Sequence, residues 1–148
     1  MSEITCQNFA KLVNRKSNAA ACLLENQHTA EAFYIAGYTL EILLKSLYLT
    51  VDLNYPKIHN FSELKASYLN LKKLNPKLQS KLRESSLQLK CLLLVETSFV
   101  SQKKWAPELR YSDSFCLSAS ESVVLQNELK SISKLSTQLK LSFRGRNL

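Results

Sequence analysis

The sequence predicts an all-α fold, an up-and-down bundle of four to five helices that forms a single domain over residues 1–148. Three observations lead to this prediction. A chain of 148 residues, 45% of them hydrophobic, is long enough to bury one core. Two glycines and three prolines are too few turn residues for many short strands. Apolar residues also recur at steps of three and four along most of the chain, as they do in amphipathic helices.

The first two predicted helices cover residues 6–25 and 28–51. The second is apolar on almost every side, so we expect other helices to surround it. Glycine costs about 1 kcal/mol inside a helix, and Gly37 therefore predicts that a neighbouring helix crosses closely at that point. Glu41 and Lys45 lie one turn apart in this apolar helix and can pair. They are interpreted either as a partly buried ion pair that fixes packing or as a polar functional spot.

The third predicted helix follows a loop over residues 52–59, which contains a proline and shows no helical periodicity. Asn60 followed three residues later by Glu63 is typical of a capping box at a helix start. The apolar periodicity then continues to about Lys73, where this helix is predicted to end.

The second half of the chain predicts two more helices separated by a long connection. One should begin at Pro76 and end near Ser98, with an apolar face formed by Leu78, Leu82, Leu89 and Leu93. Residues 99–117 lack periodicity, and so long a connection is uncommon unless it is functional or docked on the bundle. The last helix is predicted to begin after a capping box of Ser118 and Glu121.

The net charge of +8 indicates attraction to a polyanion or to an acidic partner. Lys73, Lys77 and Lys81 flank one helix junction and form a candidate phosphate-binding surface. The alternative is that these lysines only solvate helix faces.

The connection carries a second group of candidate binding residues, Trp105, Arg110 and Tyr111. Aromatic and arginine side chains can stack on bases or hold a phosphate. The alternative is that Trp105 and Tyr111 fasten the connection to the bundle, while Arg110 pairs with a neighbouring carboxylate.

Several classes of function are not indicated by the sequence. The four cysteines form no CxxC pair and lie far from the histidines, so neither a metal site nor a cofactor is predicted. Because the N-terminal residues lack a signal pattern and charges interrupt the longest apolar run, we expect a cytoplasmic protein without a membrane span.

Three segments, AGYTLEILLKSLYL, IHNFSEL and WAPELRYSD, together resemble the HEPN domain family of prokaryotic helical-bundle proteins. The positions that carry this resemblance are Gly37, Tyr38, Leu40, Glu41, Lys45, His59, Asn60 and Phe61. The resemblance covers roughly residues 5–142. It implies a bundle of four or five helices, frequent homodimerisation and a role linked to nucleic acids. Members of the family include RNases and partners of nucleotidyltransferases in toxin–antitoxin modules.

The catalytic branch of that family carries an arginine followed after four to six residues by a histidine, and this chain lacks that spacing. Its histidines are His28 and His59, and the nearest preceding arginine is Arg15, thirteen residues before His28. His59 is predicted to be a loop residue satisfied by the adjacent helix cap. We therefore expect a non-catalytic module that binds RNA or another polyanion, or that regulates a nucleic-acid-linked system of toxin–antitoxin or defence type.

Two alternatives remain open at this point. One is a divergent metal-independent RNase, in which Arg110 holds phosphate and His59 or Tyr111 moves protons. The other is a protein-binding partner subunit of a nucleotidyltransferase, which would expose a large apolar patch and no basic cleft.

Overall fold

The computed structural model of the chain describes residues 4–5, 8–49, 54–74, 86–111 and 115–143. Within these ranges every regular element is helical, and the predicted all-α bundle is confirmed. The elements are α1 (Phe9–Glu25), α2 (Thr29–Leu49), α3 (Phe61–Leu74), α4 (Ser86–Thr97), the short α5 (Phe99–Gln102), a 3-10 helix (Pro107–Tyr111) and α6 (Ala119–Phe143).

Helix α2 is the centre of the bundle, as its apolar composition predicted. It packs against each of the other helices, including the two short ones of the connection. All ten residues from Thr39 to Tyr48 are buried. A helix buried on all sides needs apolar residues all round, which explains why only a few polar side chains interrupt this one.

Gly37 has a different neighbour from the one that the sequence predicted. The side chain that covers it is the indole of Trp105, not a crossing helix, and a Cβ built on Gly37 would lie 1.9 Å from Trp105 Cε2. The indole nitrogen donates a hydrogen bond to the carbonyl of Tyr34 over 3.1 Å, and the ring stacks on Phe61 with centroids 5.2 Å apart. Glycine therefore provides the space into which the connection docks.

Both predicted capping boxes mark helix starts in the structure. The Glu63 amide donates to Asn60 Oδ1 over 3.0 Å at the start of α3. At the start of α6 the exchange is reciprocal, since the Glu121 amide donates to Ser118 Oγ and the Ser118 amide donates to Glu121 Oε1. These bonds satisfy amides that a helix start otherwise leaves without partners.

The connection between α4 and α6 is docked on the bundle. The amides of Phe99 and Val100 donate to the carboxylate of Glu128, over 2.6 and 3.3 Å. The ring of Phe33 contacts those of Phe99 and Phe115. The sequence left two explanations for so long a connection, a functional role and docking on the bundle, and docking is observed.

The apolar face predicted for the fourth helix is partly wrong. Leu89 and Leu93 are 43% and 52% exposed, whereas Cys91, Leu92 and Val95 are buried. This segment is apolar on several sides, so its periodicity does not determine which side faces the core. Leu78 and Leu82 lie outside the described residues.

Candidate nucleic-acid interface

A cavity of about 740 Å³ opens between α1, α2 and the loop before α3. We call it the basic cleft because four of its lining side chains are cationic and one is a carboxylate. The lining residues are Ile4, Leu12, Arg15, Lys16, Tyr38, Glu41, Ile42, Lys45, Asn54, Tyr55, Lys57 and His59.

Helical periodicity explains which side chains α1 and α2 contribute to the basic cleft. Arg15 and Lys16 follow Leu12 by three and four residues, so all three project from one side of α1. On α2, Glu41 and Lys45 are likewise one turn apart. The buried part of the lining is mixed, since the apolar Leu12 and Ile42 and the charged Glu41 and Lys45 are all buried.

Glu41 binds two partners at once. Its Oε2 lies 3.2 Å from Lys45 Nζ, and its Oε1 lies 2.9 Å from His59 Nδ1. The side chains of Glu41 and Lys45 are only 5% and 7% exposed, whereas that of His59 is 53% exposed. The predicted pair is therefore formed and buried, and His59 adds a third member. His59 was predicted to be satisfied by the cap of the adjacent helix, but in the described structure its Nδ1 contacts Glu41 instead.

Lys45 is held on a second side by an aromatic ring. Its ammonium lies 5.4 Å from the centroid of Tyr55, and the Tyr55 hydroxyl accepts a hydrogen bond from the amide of Ile4. A cation above a ring face is stabilised by the negative face of the π-system. The charge of Lys45 is thus compensated by Glu41 and by this ring.

The other three cations of the basic cleft have no such compensation. Arg15 and Lys57 are exposed, and Lys16 is half-buried. Within the part of the chain that the structure describes, none of the three forms an ion pair. Three uncompensated cations around one cavity create a positive potential inside it.

Trp105 is the predicted binding candidate whose side chain the structure describes, and it does not line the basic cleft. Trp105 is buried, with 7% of its surface exposed, and packs on Gly37 and Phe61 as described above. This position matches the alternative in which Trp105 fastens the connection to the bundle. Arg110 and Tyr111 belong to the 3-10 helix, which contacts α2.

For the other candidates the structure provides less detail. Lys73 belongs to the last turn of α3, and its side chain, like those of Arg110 and Tyr111, lies outside the described part. Lys77 and Lys81 fall outside the described residues altogether. Binding by these five residues remains a prediction.

His59 was predicted as a loop residue or, in the RNase alternative, as a proton carrier, whereas Arg15, Lys16 and Lys57 were not predicted as site residues. The signal on α1 was present, because Arg15 and Lys16 share a face with Leu12. The sequence did not show that this face lies opposite Lys57 and His59, because that proximity arises only from the packing of α1 on α2.

Two further kinds of feature are absent from the described residues. No group of three or more histidine, cysteine, aspartate or glutamate side chains is arranged to hold a metal ion. In the described ranges no helix combines the length and the hydropathy needed to cross a membrane.

Comparison with known proteins identifies the family. The HEPN domain model matches residues 14–99, which is more than half of the chain and includes most of the basic cleft. No curated protein and no solved structure shows significant similarity to the sequence. The match extends over Gly37, Glu41, Lys45 and His59, the positions on which the resemblance was based. This chain is therefore a member of the HEPN domain family.

Proposed function

We propose that this protein is a non-catalytic HEPN module that binds nucleic acid through the basic cleft, within a nucleic-acid-linked system of toxin–antitoxin or defence type. The observation that carries the proposal is the set of three uncompensated cations, Arg15, Lys16 and Lys57, around one cavity. Membership of the HEPN family supports a nucleic-acid-linked helical module in general.

The cations of the basic cleft are suited to a polyanion for a physical reason. Each phosphate that a lysine or arginine neutralises releases condensed counterions, so binding is favourable at low salt and weakens as salt rises. Arginine also presents a planar fork of donors that matches two phosphate oxygens. A cavity with these groups favours a phosphate-bearing ligand over the apolar surface of a nucleotidyltransferase partner.

The remaining parts of the proposal come from the family. HEPN domains commonly dimerise, and we propose that this single-domain protein is a cytoplasmic homodimer. Sedimentation of the purified chain measures this directly. A mass near twice 16.9 kDa is expected, and a monomer at micromolar concentration would contradict it.

The proposal is tested by binding of labelled RNA and DNA oligonucleotides at low and moderate salt. We compare the wild type with Arg15→Gln/Lys57→Gln and with a matched control, Lys90→Gln/Lys104→Gln, whose exposed lysines do not line the basic cleft. Binding should weaken with salt and should be lost first in the cleft variant. The proposal fails if no oligonucleotide binds even at low salt.

One observation favours a second candidate function, a divergent metal-independent RNase. The bond between Glu41 and His59 is the arrangement in which a carboxylate orients an imidazole that accepts a proton. Cleavage of RNA is measured in the same samples. The leading proposal expects no cleavage that depends on His59, whereas cleavage that disappears in His59→Gln would replace it with the RNase.

A further inference from the structure

We infer that the basic cleft is one half of a longer binding surface, and that a second half lies in the groove between α1 and α6, so that a single strand of nucleic acid crosses α1. This inference rests on the proposed function. It adds a second site and a class of ligand, single-stranded rather than double-stranded nucleic acid.

The groove between α1 and α6 has a volume of about 390 Å³. Lys130 and Lys134 contribute two cations from α6, and five of the other seven lining residues carry a hydroxyl or amide group, although aliphatic atoms form much of the exposed lining. Its lining residues include no carboxylate. A lining of cations and neutral polar groups is suited to phosphate and sugar oxygens, which accept hydrogen bonds.

The groove also contains groups without partners. Ser17 is 5% exposed, and its hydroxyl has no hydrogen-bond partner within the described structure. A buried hydroxyl without a partner carries a desolvation cost. Because the Ser17 oxygen is itself covered, a ligand oxygen or a water would relieve that cost only after the neighbouring side chains move aside. Lys130 and Lys134 are exposed, and neither pairs with a carboxylate of the described residues.

The two cavities lie on opposite sides of α1. Arg15 and Lys16 line the basic cleft, and the next two residues, Ser17 and Asn18, line the groove. Successive residues of an α-helix turn by about 100°, so two adjacent pairs are directed to different sides. The surface between the cavities carries Lys11 and Arg15, both exposed. A ligand that crosses α1 therefore meets cations throughout its path.

The width and curvature of this path select a single strand. An α-helix with its side chains is about 10–12 Å across, so a ligand that enters both cavities must bend around a short convex ridge. Double-stranded DNA has a persistence length of about 50 nm and resists such bending. A single strand bends readily and leaves its bases free to contact the aromatic and apolar side chains among the lining residues of the basic cleft.

The test measures fluorescence anisotropy of a labelled 12-nucleotide single strand and of the corresponding 12-base-pair duplex. The variants are Lys130→Gln/Lys134→Gln for the groove and Arg15→Gln/Lys57→Gln for the basic cleft. The control here is Lys104→Gln/Lys140→Gln, because Lys90 lines a neighbouring cavity together with Lys134. Ser17→Ala is a fourth variant, which removes the unpartnered hydroxyl and is expected to fold normally. Thermal melting of each variant verifies that it is folded.

We expect the single strand to bind about tenfold or more tightly than the duplex. The groove variant should lose about tenfold in affinity for the single strand, and Ser17→Ala should lose a smaller factor without a lower melting temperature. The control should bind as the wild type does. Because each single-strand phosphate contact contributes about 0.7 to the salt slope, the groove variant should lower that slope by about 1.4.

Two results would overturn the inference and leave the proposed function intact. One is a groove variant that binds like the control while the cleft variant loses binding. The other is a duplex that binds as tightly as the single strand. If neither ligand binds the wild type at low salt, the proposed function itself fails.

Discussion

The basic cleft and the connection over residues 99–117 contain similar polar side chains and use them differently. In the connection several of the described polar groups are paired within the protein, although Lys104 is exposed and forms no ion pair with a described residue. Glu128 accepts the amides of Phe99 and Val100, and Lys103 pairs with Glu121 over 2.6 Å. In the basic cleft Glu41 is paired with Lys45 and His59, whereas the other three cations form no ion pair with any residue that the structure describes.

This difference distinguishes polar groups that stabilise the fold from polar groups that are available to a ligand. The hydrogen bond from Lys103, together with that from the Ser118 amide, lowers the pKa of the Glu121 carboxyl to about 2, so the charge of Lys103 is matched by a carboxylate at the protein surface. Arg15 and Lys57 have no equivalent partner in the described part of the chain. Substitutions in the connection should therefore reduce stability, and those at the cleft rim should change binding.

The largest effect on the free energy of unfolding is expected at the buried ion pair of the basic cleft. Glu41→Ala removes the carboxylate and leaves the buried ammonium of Lys45 without its ion-pair partner, which should cost about 3–5 kcal/mol of unfolding free energy. Urea unfolding measures the loss. Glu25→Ala, which changes an exposed glutamate at the end of α1, is the control and should change stability by less than about 0.5 kcal/mol. An unaltered midpoint for Glu41→Ala would show that the pair is not buried.

A smaller loss is expected at the contact between α2 and the connection. Gly37→Ala places a methyl group in the space occupied by the Trp105 indole, so it should destabilise the fold by about 1–3 kcal/mol. Emission from Trp105, the only tryptophan, should shift to the red as the indole is displaced.

The control for this substitution is made in a Trp105→Leu background, where Gly37→Ala should no longer clash and should be less harmful. A stabilisation of about 1 kcal/mol by Gly37→Ala alone, as expected from helix propensity, would contradict the contact.

The connection should also respond to the loss of Glu128. Glu128→Ala leaves the amides of Phe99 and Val100 without acceptors and should cost about 1–3 kcal/mol. Glu128→Gln keeps one acceptor and should cost less. Both are measured by chemical denaturation at pH 7.

The burial of Glu128 also predicts how the stability of the fold depends on pH. Burial raises the pKa of Glu128 above its ordinary value of 4.5, so the folded chain holds this proton more tightly than the unfolded chain. Its contribution to unfolding free energy should therefore fall as pH rises from about 4.5 through the raised pKa. The difference in stability between the wild type and Glu128→Gln, measured across this interval, should show that fall. A difference that rises with pH would contradict the burial of this carboxylate.

The smallest effect on stability is expected at the rim of the basic cleft. Arg15→Gln/Lys57→Gln removes exposed charges without partners, so the free energy of unfolding should change by less than about 0.5 kcal/mol, and relief of repulsion should make any change a gain. Thermal melting measures it. A loss above about 1 kcal/mol would show that these side chains are used by the fold.

The sequence predicted the fold well because each pattern used for the prediction lies within a short, continuous stretch of the chain. The all-round apolar character of α2 and the two capping boxes lie within single elements, and the structure reproduces them. The pairing of Glu41 with Lys45 was also predictable from their spacing of four residues.

The candidate site was less predictable because its parts are distant in the sequence. His59 lies 18 residues from Glu41, and Arg15 reaches the same cavity only because α1 packs on α2. For Trp105 the sequence left two interpretations open, a binding residue and a residue that fastens the connection to the bundle, and its burial matches the second. Its contact with Gly37, 68 residues earlier, depends on the docked conformation of the connection.

The central claim is that the uncompensated cations of the basic cleft hold phosphates. The most direct test is the salt dependence of binding to a single-stranded RNA, measured for the wild type and for Arg15→Gln/Lys57→Gln. Loss of two phosphate contacts should lower the slope of log affinity against log salt by about 1.4, with no change for Lys90→Gln/Lys104→Gln. Equal slopes for the wild type and the cleft variant would contradict the account.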